Sequence, residues 1–155
     1  MKYCGTLIAV SDMEKSKAFY ETVLQQKILM DVGEHVAFEG GLALQSNYSE
    51  LVGTKFTIHR QANSFQLYFE VEDIEHWVDK LRNIEGLEFL HEVKEYPWGQ
   101  RVMRFYEFDR NIIEIAEDME IVVKRFLKQG MSVEETVSRT MMPFEFVKQC
   151  LNGIK

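Results

Sequence analysis

The chain contains 155 residues, of which 46% are hydrophobic and 28% are charged. These proportions are typical of a globular protein with a buried core, and they exclude an intrinsically disordered chain. Its 18 Lys and Arg residues against 25 Asp and Glu residues give a net charge of −7, which argues against binding to nucleic acids or anionic membranes, because both require a cationic surface.

Neither a membrane span nor a secretion signal is predicted. All apolar runs are much shorter than the roughly 18 residues of a spanning helix, and the N-terminus lacks the pattern of a signal peptide. We therefore expect a cytoplasmic protein that contacts neither membrane nor nucleic acid. Cys4 and Cys150 lie near opposite ends of the chain and form no CxxC motif, so we predict two free, buried thiols rather than a disulfide or a catalytic cysteine.

The first 62 residues predict a strand, a helix and three further strands. Residues 3–10 form a short, apolar, β-branched run that is typical of a strand. Ser11 with Glu14 three residues later predicts a capping box and therefore the start of a helix. Glycines separate three further predicted strands, near 27–32, 35–39 and 41–46. Residues 47–62 have no clear period and are predicted to form a loop.

The same order of elements then begins again. Residues 64–71 predict a strand, and Asp73 predicts the N-cap of a helix. Three strands are predicted after this helix, near 87–95, 100–107 and 111–117. An offset of 61 residues aligns Asp12 with Asp73 and Val10 with Val71, which indicates an internal repeat. We predict an α+β fold in which two βαβββ modules form a curved mixed sheet around a cleft, followed by C-terminal helices.

The last part of the chain, residues 119–155, predicts three helices. Gly130 is placed to end the first helix, Ser132 with Glu135 forms a capping box, and Pro143 suits the first turn of the third. This tail carries six Lys and Arg against four Glu, a charge of +2, which leaves −9 for the rest of the chain. Its outline resembles a helix-turn-helix, but its second helix has too few basic residues to read DNA. A helical hairpin that packs on the domain or on a partner is favoured.

Two separate segments resemble the vicinal oxygen chelate superfamily, which includes glyoxalase I, bleomycin-resistance proteins, fosfomycin-resistance enzymes and extradiol dioxygenases. The segment LIAVSDMEKSKAFYETVL (7–24) is similar to the first strand and helix of that family. The segment PWGQRVMRFYEFDRNIIEIAE (97–117) is similar to its final hairpin. Arg110 departs from the family by replacing the usual turn glycine, so either the turn type changes or a non-glycine residue adopts a positive φ.

This resemblance implies a domain boundary near residue 118. It covers about residues 1–118, which are expected to form a glyoxalase/bleomycin-resistance-like domain with modules at about 1–47 and 63–118. Residues 119–155 are then a helical C-terminal extension. Because proteins of this fold commonly pair their modules within or between chains, the resemblance also implies a homodimer.

The resemblance further implies where a metal would bind. In the metal-using members, four ligands, typically His, Gln or Glu, come from the first and last strands of each module. The corresponding first-strand positions are Gly5 and Gln66. The last-strand positions are Glu114 and a residue in the window 42–45, for which we favour Leu44. Only Glu114 is a strong ligand, so we expect no metal cofactor. If a divalent ion does bind, we expect Glu114 and Gln66 to hold it. The four histidines show no ligand spacing and are expected on the surface or in loops.

Glu114 is the predicted catalytic residue if the protein is an enzyme. Its apolar neighbours in the segment 112–116 indicate that its carboxylate points into a confined space, where it could act as an acid, a base or an anchor. The alternative is a structural Glu paired with an arginine. Arg101 and Arg104 fall on opposite faces of the same strand, and we choose Arg104 as the one that pairs with Glu114 or with a ligand.

Other ligand-binding candidates are polar or aromatic. Gln66, Tyr68 and Glu70 alternate along one face of a strand and are predicted to face the cleft. Together with the carboxylate of Glu114, they would suit a cationic or hydrogen-bond-rich ligand. Trp98 precedes the turn glycine of the final hairpin and either covers the cleft or shields apolar surface beside the turn.

Three functions remain open at this point. The favoured hypothesis is a protein that binds a small molecule in its cleft without a metal, as drug-sequestering resistance proteins do. The alternative is a metal-dependent lyase, isomerase or dioxygenase of the same superfamily, similar to lactoylglutathione lyase, with an altered site that uses Glu114. A third possibility is a regulatory module that binds a partner through the helical tail.

Overall fold

The computed structural model describes residues 1–154. The chain divides into two compact units, residues 1–61 and Ala62 to the C-terminus. Each unit contains one open, four-stranded mixed sheet and at least one helix, and three further helices follow the second sheet. The predicted α+β class is therefore confirmed.

The first unit builds its sheet from four short strands. Strand β1 (Thr6–Ala9) pairs in parallel with β4 (Leu42–Gln45), and the strand order is β1-β4-β3-β2. The remaining strands, β2 (Ile28–Asp31) and β3 (His35–Phe38), lie where the sequence predicts them. A 3-10 turn over Glu39–Gly41 joins β3 to β4. Side chains from three strands form the buried side of this sheet: Ile8, Val36 and Leu44.

The helix of the first unit, α1 (Met13–Ala18), begins with a cap different from the predicted one. Its N-cap is Asp12, whose carboxylate accepts a hydrogen bond from the backbone N–H of Lys15 at 3.0 Å. The prediction of a Ser11–Glu14 capping box is therefore wrong, because Asp12 occupies the extended position immediately before the first turn. The helix continues as a π-helical turn over Phe19–Val23.

The predicted loop at 47–62 contains one short helix, α2 (Tyr48–Val52). Residues with left-handed φ values bound it on both sides, Asn47 at +49° and Gly53 at +71°. The prediction of a continuous loop is wrong here, because a helix of five residues is too short to produce a visible hydrophobic period.

The second unit repeats the arrangement of the first. Strand β5 (Gln66–Val71) pairs in parallel with β8 (Ile112–Glu117), and the order β5-β8-β7-β6 matches that of the first sheet. Strands β6 (Glu88–Glu95) and β7 (Arg101–Tyr106) complete it. Helix α3 (Ile74–Arg82) begins at Asp73, which accepts a hydrogen bond from the His76 backbone N–H at 3.1 Å. The predicted internal repeat and this cap are confirmed.

The C-terminal tail forms the three predicted helices, α4 (Met119–Lys128), α5 (Val133–Thr140) and α6 (Phe144–Asn152). Gly130 follows α4 with φ +94°, and Ser132 with Glu135 forms the predicted capping box of α5. The helices share a small apolar core that includes buried residues of α4 and α6: Val123, Val147 and Cys150. The tail belongs to the same compact unit as the second sheet.

Arg110 retains the turn geometry of a glycine. Its φ is +68°, so the second alternative from the sequence is the observed one. The buried carboxylate of Glu107 holds this turn by accepting hydrogen bonds from the backbone N–H groups of Asp109 at 2.8 Å and Asn111 at 2.9 Å. Burial raises the pKa of Glu107, although these hydrogen bonds oppose the shift. Arg110 also donates to Glu88 at 2.7 Å.

The two cysteines are free, but only one is buried. Cys150 lies in the core of the tail, whereas Cys4 is exposed before the first strand. The prediction of a buried thiol is therefore wrong for Cys4, because β1 begins only at Thr6 and the segment before it is exposed. Within residues 1–154, no helix combines the length and the apolar character that a membrane span requires.

Candidate functional site

The face of the second sheet opposite α3 carries the predicted site residues. Gln66, Tyr68 and Glu70 of β5 are exposed, while the intervening Leu67 and Phe69 are partly buried, as the alternation predicts. In the ladder, Tyr68 lies opposite Glu114 of β8. On the other side of β8, Glu114 lies opposite Arg104 of β7. Three adjacent strands therefore bring these residues to one face.

Glu114 and Arg104 form an ion pair in this face. The Nη2 atom of Arg104 contacts Oε2 of Glu114, whose side chain is only 8% exposed. Gln66 bridges the pair, because its amide nitrogen donates to Oε2 of Glu114 at 2.7 Å and its amide oxygen accepts from Nε of Arg104 at 3.0 Å. Arginine only donates and a carboxylate only accepts, so these partners fix the orientation of the amide. The pairing of Arg104 with Glu114, one of the alternatives from the sequence, is present.

Two residues that the sequence analysis did not select complete the shell around Arg104. The Nη1 atom of Arg104 donates to Nε2 of His91 at 3.0 Å and also to the hydroxyl of Tyr96. His91 lies in β6 rather than in a loop. Its Nδ1 atom lies 2.8 Å from the backbone carbonyl oxygen of Glu92. Since that oxygen can only accept, Nδ1 carries the proton and Nε2 is the acceptor for Arg104.

A second group of polar side chains adjoins the first. Gln100 donates to the Tyr68 hydroxyl at 3.2 Å and accepts from the indole N–H of Trp98 at 2.9 Å. Tyr68 in turn donates to Glu70 at 2.6 Å. Trp98 stacks on Tyr96 with ring centroids 4.7 Å apart, which connects this group to the shell around Arg104. All six residues predicted for the site therefore lie in one connected network.

The hydroxyl of Tyr68 is held in its protonated state by its surroundings. Partial burial disfavours the phenolate, and the hydrogen bond to Glu70 requires the proton, so the pKa of Tyr68 is raised to about 12. Tyr68 is therefore a hydrogen-bond donor throughout the physiological pH range. Its role here is to orient the Glu70 carboxylate, since a neutral donor fixes one carboxylate oxygen.

The first sheet does not supply matching metal ligands. Leu7 lies 61 positions before Tyr68 and is therefore its equivalent in the first module. Tyr68 lies opposite Glu114 and Leu7 lies opposite Ala43, so Ala43 is the equivalent of Glu114. The choice of Leu44 is wrong by one position, and Leu44 is instead fully buried on the opposite face. Gly5 also has no room for a ligand, because an added Cβ would lie 1.9 Å from the carbonyl oxygen of Gly41.

The donor set therefore does not fit the metal centre that the resemblance describes. Of the four positions, Gly5 and Ala43 carry no donor atom, and Glu114 is already paired with a guanidinium. Within residues 1–154, no cluster of three or more His, Cys, Asp or Glu side chains is suited to hold a metal ion. A well-held catalytic ion needs about three good protein ligands.

The first sheet presents an apolar groove at these positions instead. It has a volume of about 480 Å³ and is lined mostly by aliphatic residues and backbone, including Leu7, Leu29, Leu42 and Ala43. Leu7 and Leu29 are 38% and 63% exposed. The positions that the repeat makes equivalent therefore carry different side chains in the two units. They form a charged network on the second sheet and an aliphatic surface on the first.

Comparison with known proteins agrees with this arrangement. Residues 3–120 match the model of the glyoxalase-like domain. A protein of unknown function from Agrobacterium tumefaciens is 31% identical over 76% of this chain and 94% of its own, with a TM-score of 0.69. A lactoylglutathione lyase from the same species is 19% identical over 76% of this chain and 94% of its own, with a TM-score of 0.58. None of the curated proteins matches the sequence.

A third similar structure is a genomically encoded fosfomycin resistance protein from Listeria monocytogenes, 14% identical over 76% of this chain and 93% of its own, with a TM-score of 0.59. The repeated βαβββ arrangement is a fold that this chain shares with these structures. The chain belongs to the glyoxalase-like domain family.

Proposed function

We propose that this protein binds a small organic molecule on the polar face of its second sheet, without a divalent metal ion. The observation that carries the proposal is the ion pair between Arg104 and Glu114. The guanidinium supplies the positive charge beside Glu114 and is held there by several hydrogen bonds. A metal ion would have to displace it, at the cost of leaving a largely buried arginine network without its carboxylate.

The ligand of this face carries N–H or O–H donors. All hydrogen bonds to Glu114 within residues 1–154 go to Oε2, and those to Glu70 go to Oε1. One oxygen of each carboxylate is therefore left to accept from a ligand. The rings of Tyr68 and Trp98 provide flat apolar surface beside them. A few fixed polar groups next to aromatic surface are typical of small-molecule sites.

This proposal is tested by NMR titration of the metal-free protein. The 15N-labelled chain is kept in EDTA and titrated with bleomycin and with a library of small aromatic amines and amides. Ligands that shift the resonances of the second sheet are expected to bind at least about tenfold more weakly to Glu114→Gln and Glu70→Gln, since each loses a charged acceptor. Glu92→Gln is the matched control, because Glu92 pairs with Arg82 of α3 on the other face of the sheet.

Binding that appears only after a divalent metal ion is added would contradict the proposal. That result would favour the alternative, a metal-dependent lyase, isomerase or dioxygenase that uses Glu114. Binding that is unchanged in both site variants would place the ligand elsewhere.

We further propose that the protein forms a homodimer. Support comes from the family, whose members are often dimers, and from large apolar side chains that remain exposed on the tail, such as Met141 at 76% and Phe144 at 45%. Light scattering of the full chain after size exclusion measures its mass. A mass of one chain at micromolar concentration would contradict this proposal. A dimer that Phe144→Glu dissociates would place the tail in the interface.

A further inference from the structure

The aromatic ring of Tyr68 lies beside two carboxylates on the polar face of the second sheet. We call the ring of Tyr68 and the carboxylates of Glu70 and Glu114 the Tyr68 subsite. Tyr68 and Glu70 are two residues apart on one side of β5, and Tyr68 lies opposite Glu114 of β8. The hydroxyl of Tyr68 donates to Glu70 at 2.6 Å. The three side chains therefore share one small area of the face.

We infer that the Tyr68 subsite binds the protonated amino group of the ligand, with the cation against the ring of Tyr68 and its N–H groups donated to Glu70 and Glu114. The inference rests on the proposed function of this face. It narrows the ligand from any small molecule with N–H or O–H donors to an organic ammonium ion. Such an ion offers a positive charge to the ring and several charged donors to the carboxylates.

Each carboxylate has one oxygen without a partner in the protein. Glu114 uses Oε2 for Gln66 and Arg104, and Oε1 has no partner within residues 1–154. The side chain of Glu114 is only 8% exposed, but Oε1 still reaches the surface. Glu70 likewise uses only Oε1, for the hydroxyl of Tyr68. A largely buried carboxylate with an open oxygen favours a charged donor, because little water competes for it.

The spacing of the two carboxylates suits a single ammonium group. Neighbouring strands lie about 4.8 Å apart and alternate residues of one strand about 6.6 Å apart, so the backbone positions of Glu70 and Glu114 are about 8 Å apart. An ammonium nitrogen that donates to both carboxylates needs acceptor oxygens within about 6 Å of each other. Two glutamate side chains that project from the same face can reach this separation by rotation.

The ring of Tyr68 is available to a cation. Tyr68 is 48% exposed, and no Lys or Arg within residues 1–154 lies over its ring. Tyr96 of the same network differs, because Lys94 and Arg104 lie 5.0 Å and 5.4 Å from the centroid of its ring. A cation within about 6 Å of such a centroid is attracted by the ring. Tyr96 therefore already has cations beside it, whereas Tyr68 has none.

Both carboxylates are close enough to Tyr68 to act on it electrostatically. Burial and the hydrogen bond to Glu70 raise the pKa of Tyr68 most, the hydrogen bond from Gln100 opposes them, and the negative charges of Glu70 and Glu114 raise the pKa further. A cation at the ring would be attracted by these two charges, and an anion would be repelled by them.

The charge balance around the subsite also favours a cation. Arg104 is the cation in contact with the subsite, and it is already paired with Glu114, while its Nε and Nη1 atoms donate to other protein acceptors. Glu70 has no basic partner within residues 1–154. The two carboxylates and one guanidinium leave a net charge of −1 that an ammonium ion neutralises.

The test compares three probes that have the same ring and differ in charge: 2-phenylethylamine, 2-phenylethanol and 3-phenylpropionate. At pH 7 they are a cation, a neutral molecule and an anion. The full 15N-labelled chain in EDTA is titrated with each, and the shifts of resonances in β5 and β8 give the dissociation constants. The amine is expected to bind at least about tenfold more tightly than the alcohol, and the anion most weakly, because only the amine adds a cation–π contact and a charged donor.

Variants of the subsite separate the effect of charge from that of shape. Glu70→Gln and Glu114→Gln keep the size of the side chain, and each is expected to reduce the preference for the amine over the alcohol by at least about threefold. Tyr68→Phe keeps the aromatic face and is expected to retain more of this preference than Tyr68→Leu. Glu92→Gln, which removes the partner of Arg82, is the matched control and is expected to leave the preference unchanged. Should Glu114→Gln fail to fold, Glu70→Gln decides the test, because Glu70 is exposed.

The outcomes separate this inference from the proposed function. The inference is overturned if the alcohol or the anion binds as tightly as the amine, or if the amine shifts no resonance of the second sheet. A preference for the amine that is the same in Glu70→Gln and Glu114→Gln as in the wild type overturns it too. In each case the proposed function stands if a neutral ligand with N–H or O–H donors binds this face in EDTA and loses affinity in the two glutamate variants.

Discussion

The carboxylate of Glu117 is expected to hold helix α4 to the second sheet. It lies at the end of β8 and its side chain is only 1% exposed. It accepts hydrogen bonds from the backbone N–H of Arg101 at 3.0 Å, from Nε and Nη2 of Arg101 at 2.9 Å and 2.6 Å, and from Nη1 of Arg125 of α4 at 2.6 Å. Arg125 also donates to the carbonyl oxygen of Gly99 in the turn between β6 and β7.

We predict that Glu117→Gln lowers the free energy of unfolding by about 3 kcal/mol. Removing one partner of a buried ion pair costs about 3–5 kcal/mol. Arg101 and Arg125 are 33% and 26% exposed, so water can solvate part of their charge in the variant, and the lower end of this range applies. Urea unfolding of both proteins at pH 7 measures the difference.

The matched control is Glu75→Gln. Glu75 pairs with the same Arg101, but its side chain is 66% exposed. Exposed pairs of this kind contribute about 0–1 kcal/mol. A loss for Glu117→Gln below about 1 kcal/mol, or a loss equal to that of Glu75→Gln, would refute the reasoning from burial.

The ion pairs of Glu117 also predict that the free energy of unfolding depends on pH. Burial alone would raise the pKa of Glu117, but the hydrogen bonds from Arg101 and Arg125 outweigh it, and the pKa is lowered from 4.5. A carboxylate with a lowered folded-state pKa stabilises the protein above its unfolded pKa and loses this contribution as the pH falls through the folded value. The stability difference between wild type and Glu117→Gln should therefore be constant near neutral pH and shrink below pH 4.5.

Three further predictions concern single positions. Arg110→Gly should be more stable than Arg110→Ala by about 1 kcal/mol in urea unfolding, because both lose the side-chain contacts but only glycine adopts a φ of +68° without strain; equal stabilities would argue against strain. Ultraviolet titration at alkaline pH should show one tyrosine that ionises near pH 12, and this step should be lost in Tyr68→Phe. The protonated hydroxyl of Tyr68 should stabilise the fold fully below pH 10, and this contribution should be lost as the pH rises towards 12. A titration that is unchanged in Tyr68→Phe would contradict the assignment. Gly99→Ala should cost about 1–3 kcal/mol more than Gly130→Ala, because both have positive φ but an added Cβ at Gly99 would lie 2.3 Å from the Phe126 ring, whereas Gly130 faces open space; similar losses would contradict this packing argument.

The repeat could be predicted from the sequence because its signals are local. The alternation along β5, the Asp73 cap and the 61-residue offset all depend on side-chain spacing within one element or between equivalent elements. The parity of β7 likewise puts Arg101 and Arg104 on opposite faces, and the ladder pairs the chosen residue, Arg104, directly with Glu114. Spacing within a strand determines the face, so these residues required no knowledge of the loops.

His91 could not be predicted in the same way, because it depends on a bulge. Continuing the ladder from the pairs Glu95–Arg101 and Lys94–Val102 would place Glu92 opposite Arg104. The register shifts within β6, and His91 takes that position. A bulge adds a residue to one strand without a distinctive sequence signal, and β6 has two such shifts, one on each side of His91.

In the first module, the prediction of Leu44 likewise depends on the exact register of the strands. The window 42–45 contains the equivalent residue, but a displacement of one residue exchanges the partly buried Ala43 for the fully buried Leu44 on the opposite face. The equivalent residues Ala43 and Glu114 are 71 positions apart rather than 61, because the second module has a longer β6 and β7 hairpin. An offset measured at the first helix therefore does not carry over to the last strand.

The metal content of the wild-type protein tests the proposed function most directly. The full chain is incubated with Co²⁺, Ni²⁺, Zn²⁺ and Mn²⁺ in separate experiments, freed of unbound ion by gel filtration, and analysed by mass spectrometry of the elements, with Glu114→Gln treated in parallel. The ion pair between Arg104 and Glu114 predicts far less than one ion per chain for every metal, and no difference between the two proteins. One ion per chain in the wild type that disappears in Glu114→Gln would contradict a metal-free site.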